Sequence, residues 1–327
     1  MNGSRRAFLK TVGVAAAAAG LPGTVEAIDP IRRRGGPQMK LSLAAYSFRK
    51  YLTDYRRRSS GGAESAGSGE RAGAGAGAGS MTLEDFVDLC AEYGLSGTEP
   101  TSYYVPDPLP DQYLQRLRRR AFLAGLSVSG TAIGNTFTHP AGPERGREIA
   151  YTKLWIDRAA DMGAPTIRIF AGNLQKGTTE AQARQWSIDA IRECCDYAGR
   201  KGVILALENH GGIVTTAEQL VSIVREIDSE WFGVTWDSGN FRSADPYGEL
   251  TMIAPYAVTA QIKTSIAGKP ADLPRIVKIL NDVNYRGWLA LEYSGEEEPK
   301  TAVPRHLEEL KRLIAQPPRV SARPASA

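Results

Sequence analysis

Two short apolar runs, residues 203–207 and 232–236, each stop on a carboxylate followed by polar or small residues. Glu208-Asn209-His210 closes the first and Asp237-Ser238-Gly239-Asn240 the second. Runs of this length, ended this abruptly, predict buried strands. Between them Thr216 stands three residues before Gln219, and Leu220, Ile223, Val224 and Ile227 follow at i, i+3, i+4, i+7 spacing. That pattern predicts a capping box opening a helix with one apolar face. Strand, helix and strand in this order predict parallel strands joined by a crossover, and such strands end on the same edge of their sheet. Glu208 and Asp237 are therefore expected at one mouth.

The alternation extends over the chain. Strands are expected at 40–46, 94–99, 126–133, 166–170, 257–263 and 288–293 besides the two above. Helices are expected at 82–93, 111–124, 147–162, 179–199, 246–256 and 303–314, and around Leu273, Ile276, Val277 and Leu280. Eight strands alternating with eight helices predict a (β/α)8 TIM barrel, of typically about 250 residues, with catalytic groups at the C-terminal strand ends. No Gly-x-Gly-x-x-Gly or Gly-x-x-x-x-Gly-Lys turn follows the first strand, which removes the main support for dinucleotide and P-loop readings.

The remaining segments differ in kind. Residues 1–27 carry Arg5-Arg6-Ala7-Phe8-Leu9-Lys10, a mild Ala/Val/Gly run and a small-x-small site at Val25-Glu26-Ala27, the order of a signal peptide and too short for a membrane span. The paired arginines resemble the twin-arginine signal, which implies export of folded protein by the Tat machinery to the periplasm or beyond, with no stable membrane anchor. Residues 28–39 read as a flexible lead, 59–80 as a disordered Gly/Ala/Ser insertion in a barrel spanning 40–315, and 316–327 as a disordered tail. A net charge of +4, with Arg concentrated near the N-terminus, does not describe a nucleic-acid surface. Cys90, Cys194 and Cys195 lack the spacing of a disulfide framework or metal knuckle and are expected as buried small residues.

The chemistry concentrates in the last four strands. Glu208, Asp237, Gln261 and Glu292 stand one βα unit apart. Four oxygen-bearing side chains from adjacent strands converge on one mouth, and three buried carboxylates there repel one another unless a divalent cation lies between them. His210 and Lys263, two residues beyond Glu208 and Gln261, share their sides of the strands and are candidate substrate contacts. Glu99 and Arg168, near the second and fourth strand ends, are further candidates. His139 and His306 are expected at the surface.

The strand ends Leu-Glu-Asn-His at 207–210, Trp-Asp-Ser-Gly-Asn at 236–240 and Ala-Gln-Ile-Lys at 260–263, with Gly-Trp-Leu-Ala-Leu-Glu at 287–292, resemble those of the xylose isomerase-like barrel superfamily. That superfamily includes sugar isomerases and epimerases, inosose dehydratases and AP endonucleases, and the resemblance covers about 40–314. In its epimerase branch a Glu-Asp-His-Glu set binds a divalent metal, often manganese. Carried over, the resemblance implies that Glu208, Asp237 and Glu292 are metal ligands, with Glu208 and Glu292 also acting as acid and base. Two positions depart from the pattern. Gln261 replaces the histidine of a His-x-Lys strand, with Lys263 retained, and Asn240 replaces a histidine three residues after the aspartate. A glutamine carbonyl still ligates a hard cation, and an all-oxygen set of Glu208, Asp237, Gln261 and Glu292 shifts preference from Zn2+ towards Mn2+ or Mg2+.

The expectation is thus an exported, divalent-metal-dependent isomerase or epimerase of a sugar or polyol, working through an enediolate, with His210, Asn240 and Lys263 binding substrate. A keto-sugar or ketoglycoside lyase or dehydratase on the same site is the first alternative, and a non-catalytic carbohydrate-binding barrel the second. Three histidines in the whole chain are too few for the multi-zinc site of the endonuclease branch.

Overall fold

The structure is a computed structural model and describes residues 29–55 and 80–316. The leader at 1–27, nearly all of the insertion at 59–80 and the tail beyond 316 lie outside the described residues. The order of elements is β1 (Gln38–Leu43), α1 (Leu83–Glu92), β2 (Gly97–Thr98), α2 (Tyr113–Leu123), β3 (Ser127–Val128), β4 (Thr131–Ala132), α3 (Pro143–Met162), β5 (Thr166–Ile169), α4 (Glu180–Lys201) and β6 (Ile204–Glu208). It continues with α5 (Ala217–Val224), β7 (Phe232–Asp237), α6 (Pro246–Ile253), β8 (Ala257–Ile262), α7 (Leu273–Asp282), β11 (Arg286–Leu291) and α8 (Pro299–Ala315). A short antiparallel ribbon, β9 (Ser265–Ile266) with β10 (Lys269–Pro270), follows β8.

Seven strands form a parallel sheet in the order β1, β11, β8, β7, β6, β5, β4. The ring closes through β2, which pairs with β3 on one side and meets β1 on the other through the Ala44 and Glu99 bridge. Ala45 N donates to Glu99 O at 3.0 Å and Glu99 N to Leu43 O at 2.9 Å, so the closing seam also fixes where Glu99 stands. The expected strand at 126–133 is divided into β3 and β4. Ser129 N still bonds Thr98 O of β2, whereas Ile133 N bonds Arg168 O of β5, so the chain changes partner between them. Gly130 permits the tight passage, because a Cβ there would come within 2.6 Å of Thr166 Oγ1.

The helices form because their starts are capped and one face is apolar. Thr82, Thr179 and Thr216 each accept from the backbone N–H three residues on, with Asp85, Gln182 and Gln219 returning the bond. In α7, Leu273, Ile276, Val277 and Leu280 are buried while the polar face is not. Each such side chain contributes about 1.5–3 kcal/mol of hydrophobic stabilisation. Cys90, Cys194 and Cys195 are free and buried in this layer. Among the described residues no helix is long and apolar enough to cross a membrane.

Part of the segment ahead of β1 is bonded to the barrel. Ile31 N bonds Pro255 O at 3.0 Å, the Arg33 guanidinium lies 5.3 Å from the Tyr285 ring centre, and Arg286 reaches Gly36 O at 2.6 Å. These groups satisfy backbone carbonyls and cover an aromatic face, which gives the segment fixed partners.

Candidate active site

The site lies at the C-terminal ends of the strands, where parallel pairing brings the polar residues into register. Asp237 on β7 stands opposite Gln261 on β8, and Gln261 opposite Ala290 on β11, itself opposite Ser42 on β1. Register partners share a side of the sheet, and the small side chains of Ala290 and Ser42 leave the interior to the long polar ones. Asn209 locks two strand ends together. Its amide donates to Asp237 O at 2.9 Å, and its carbonyl accepts from Asp237 N at 3.0 Å.

Ser238 does the same for the next pair. Its N–H donates to Gln261 O at 3.0 Å and its hydroxyl accepts from Lys263 N at 2.8 Å. Gly239 N donates to Asp237 Oδ1 at 2.7 Å. The Lys263 stem runs against Gly239 so closely that a Cβ there would lie 2.5 Å from Lys263 Cγ, and this close approach steers the ammonium inward.

The charged groups are buried and mutually engaged. Arg168 Nε lies 3.1 Å from Glu208 Oε2, and Asn240 Nδ2 donates to Glu208 Oε1 at 2.8 Å. Lys263 Nζ hydrogen-bonds Glu292 Oε1 and lies 3.7 Å from Asp237 Oδ2. Gln261 Nε2 donates to Glu99 Oε1 at 2.6 Å. The Arg168 guanidinium lies 4.0 Å from the centre of the Phe170 ring, which stacks on His210 at 4.3 Å between centres. Burial pushes Glu99 up to about 7, against the bond from Gln261, and pushes Asp237 up to about 7, against the nearby Lys263 charge. Burial also opposes the charge on Arg168, but Tyr103, Glu208 and Glu292 outweigh it and raise its pKa.

Residues 87–313 match the family described as xylose isomerase-like TIM barrel, more than half of the chain. The chain belongs to this family. No curated protein matches it. Among solved structures it is similar to D-psicose 3-epimerase from Clostridium cellulolyticum H10 bound to D-tagatose, at 14% identity and TM-score 0.66 over 84% of this chain and 99% of the other. It is also similar to the probable 3-DHS dehydratase AsbF of Bacillus anthracis, at 16% identity and TM-score 0.61 over 85% and 99%. A third likeness is to the IolI protein with a zinc atom, at 17% identity and TM-score 0.62 over 84% and 96%.

In this xylose isomerase-like barrel, Glu208, Asp237, Gln261, Glu292, Lys263, Asn240 and His210 all come to the one mouth, joined by Glu99 and Arg168. Repulsion among the carboxylates is partly met within the protein. Among the described residues four buried carboxylates, Glu99, Glu208, Asp237 and Glu292, face two buried cations, Arg168 and Lys263. Two negative charges remain. They are met either by a divalent cation or by protons, and the raised pKa values of Glu99 and Asp237 express the second solution.

Among the described residues no three His, Cys, Asp or Glu side chains are grouped as a ready ion cage, the acids being engaged instead by Arg168, Lys263 and Gln261. The donor set still fits a hard cation. Asp237 Oδ2 and Gln261 Oε1, on register-paired residues, are buried acceptors without a hydrogen-bond donor among the described residues, and the surplus charge is that of one divalent ion. Asn209, Ser238 and Phe170 were not singled out by sequence reading. The period-two spacing of Arg168 and Phe170, matching that of Glu208 and His210 on the neighbouring strand, was the available signal for Phe170. His306, expected at the surface, is half-buried and stacks on Tyr293 at 5.9 Å.

Proposed function

We propose that the protein is a divalent-metal-dependent isomerase or epimerase of a keto-sugar or related polyol. The surplus of two buried negative charges at a TIM-barrel mouth carries this reading. The likenesses to an epimerase solved with D-tagatose and to a protein solved with zinc support it. Glu208, Asp237, Gln261 and Glu292 would hold the ion, and their all-oxygen set favours Mn2+ or Mg2+ over Zn2+. A bound divalent cation supplies electrophilic polarisation of a substrate carbonyl.

The chain's own residues supply the proton transfers. Glu208 is paired with Arg168 and oriented by Asn240, which suits it to remove the proton beside the carbonyl. Glu292 shares a hydrogen bond with the Lys263 ammonium, through which a proton can be delivered to the opposite face of the enediolate. His210, half-buried on Phe170, offers a ring edge to a sugar hydroxyl, and Asn240 and Lys263 complete the substrate contacts.

A second reading is a lyase or dehydratase, favoured by the Lys263–Glu292 pair, since an ammonium beside a carboxylate can protonate a β-leaving group from the same intermediate. The likeness to a probable dehydratase accords with it. The arginine pair at Arg5 and Arg6 would place the enzyme in the periplasm or outside the cell. Metal content of the purified protein, with a panel of keto-sugars and ketoglycosides followed for deuterium uptake and for elimination products, tests both readings. Absence of bound ion and of exchange across the panel would leave the carbohydrate-binding barrel.

A further inference from the structure

Gln261 is buried among the acids at the barrel mouth, and its amide has two chemically different ends. Which end faces the mouth decides whether the side chain can ligate a cation at all. The answer lies three strands away around the barrel. Glu99, at the end of β2 and 162 positions away in sequence, accepts from Gln261 Nε2 at 2.6 Å, and both side chains are buried. Because Nε2 is the donor in this bond, the NH2 end of the Gln261 amide is the one that faces Glu99. The amide is planar, so its oxygen is turned away from Glu99. That oxygen is buried without a hydrogen-bond donor among the described residues, as is Oδ2 of its register partner Asp237.

We propose that Glu99 is a positioning residue that locks the Gln261 amide so that its carbonyl oxygen, and not its NH2 group, is presented to the cation. This deepens the metal-site reading above and rests on it. The arrangement does for an amide what a carboxylate does for a ligating imidazole, holding the donor N–H so that the lone pair faces the ion. Glu99 is itself fixed by the seam that closes the barrel, through its backbone bonds to Leu43 and Ala45. With Glu99 removed, Gln261 is free to turn and present two N–H donors to the same space, which repels a cation.

A double-mutant cycle with Mn2+ as the probe, read by isothermal titration and by the electron paramagnetic resonance of the bound ion, tests this. Glu99→Ala, which leaves no acceptor for the Gln261 NH2, is expected to weaken Mn2+ binding 10- to 100-fold in the parent chain, the usual cost of losing an outer-shell partner. In the Gln261→Ala background, with no amide left to orient, the same change is expected to cost several-fold less, the remainder being the loss of Glu99 from the charge of the site. Equal losses in both backgrounds would mean that Glu99 acts by its charge or as a ligand, and would overturn the proposal. No loss in the parent chain would overturn it too.

A second measurement is independent of metal. The side-chain amide signal of Gln261 in 15N-labelled, chelator-treated protein is expected to be protected from solvent exchange, and to lose that protection in Glu99→Ala. Should the parent chain take up no ion, the metal reading fails while a protected Gln261 amide still upholds the lock. An unprotected amide overturns the lock whatever the metal result.

Discussion

Lys263 Nζ stands between Glu292 and Asp237, hydrogen-bonded to the first and 3.7 Å from Oδ2 of the second. A single ammonium thus serves two carboxylates from the neighbouring strands on either side of its own. Removing one partner of a buried ionic cluster leaves the other charges unpaired, at a cost of about 3–5 kcal/mol. Lys263→Met is therefore expected to lower the stability of metal-free protein by about that amount in a denaturant titration. Saturating Mn2+ should restore part of the loss, because the ion adds positive charge where the ammonium was. Unchanged stability without metal would show that the pair contributes nothing to the folded state.

Glu292→Gln keeps an oxygen that can face the ion but removes the charge that accepts a proton. The variant is expected to keep most of its Mn2+ while turnover falls at least ~100-fold, the low end of the contribution of general acid–base catalysis. Exchange of the substrate α-proton with deuterated solvent should fall in step. A variant that binds Mn2+ and exchanges like the parent would reduce Glu292 to a ligand and move the proton transfer to Lys263 or His210.

Glu99 and Asp237 have folded-state pKa values of about 7, pushed up chiefly by burial. For a carboxyl raised on folding, the unfolded chain gives up its proton first. The stability contributed by the protonated form is complete below the ordinary carboxylate range and disappears as pH rises through about 7. Metal-free protein should therefore lose stability from these two groups between about pH 4 and about pH 7, and level off above that, on the order of 1.4 kcal/mol for each unit by which a pKa is raised. Asp237→Asn should flatten that slope when unfolding is followed at pH 5, 6, 7 and 8, gaining on the parent at pH 8 and not at pH 5. A parallel slope in parent and variant would mean that Asp237 ionises without penalty. With metal present the dependence should reverse, since the ion competes with protons for the same oxygens.

Arg5 and Arg6 precede Phe8-Leu9-Lys10 in the leader. If they direct export of folded, ion-loaded protein, replacing both with lysine should leave precursor in the cytoplasm and little mature form outside it, as followed by immunoblot of cell fractions. Undiminished export of the double variant would assign the leader to another route.

The sequence by itself determined the barrel and the level at which its chemistry lies. Helix and strand periods, the Thr216 cap and the polar residues at strand ends are local signals, set by backbone geometry within a few residues of one another. The spacing of Glu208, Asp237, Gln261 and Glu292 carries over directly into register because parallel strands with crossover helices must end together. Only the tertiary structure decided how these groups pair. Glu99 meets Gln261 because β2 closes the ring against β1, Arg168 meets Glu208 across β5 and β6, and Asn209 clasps the backbone of Asp237. The partner change at Gly130, which divides one strand into β3 and β4, is decided in the same way. Each of these depends on which strands become neighbours and on how long side chains share a small buried volume. Burial and Coulomb interaction act across the barrel and leave no periodic trace along the chain.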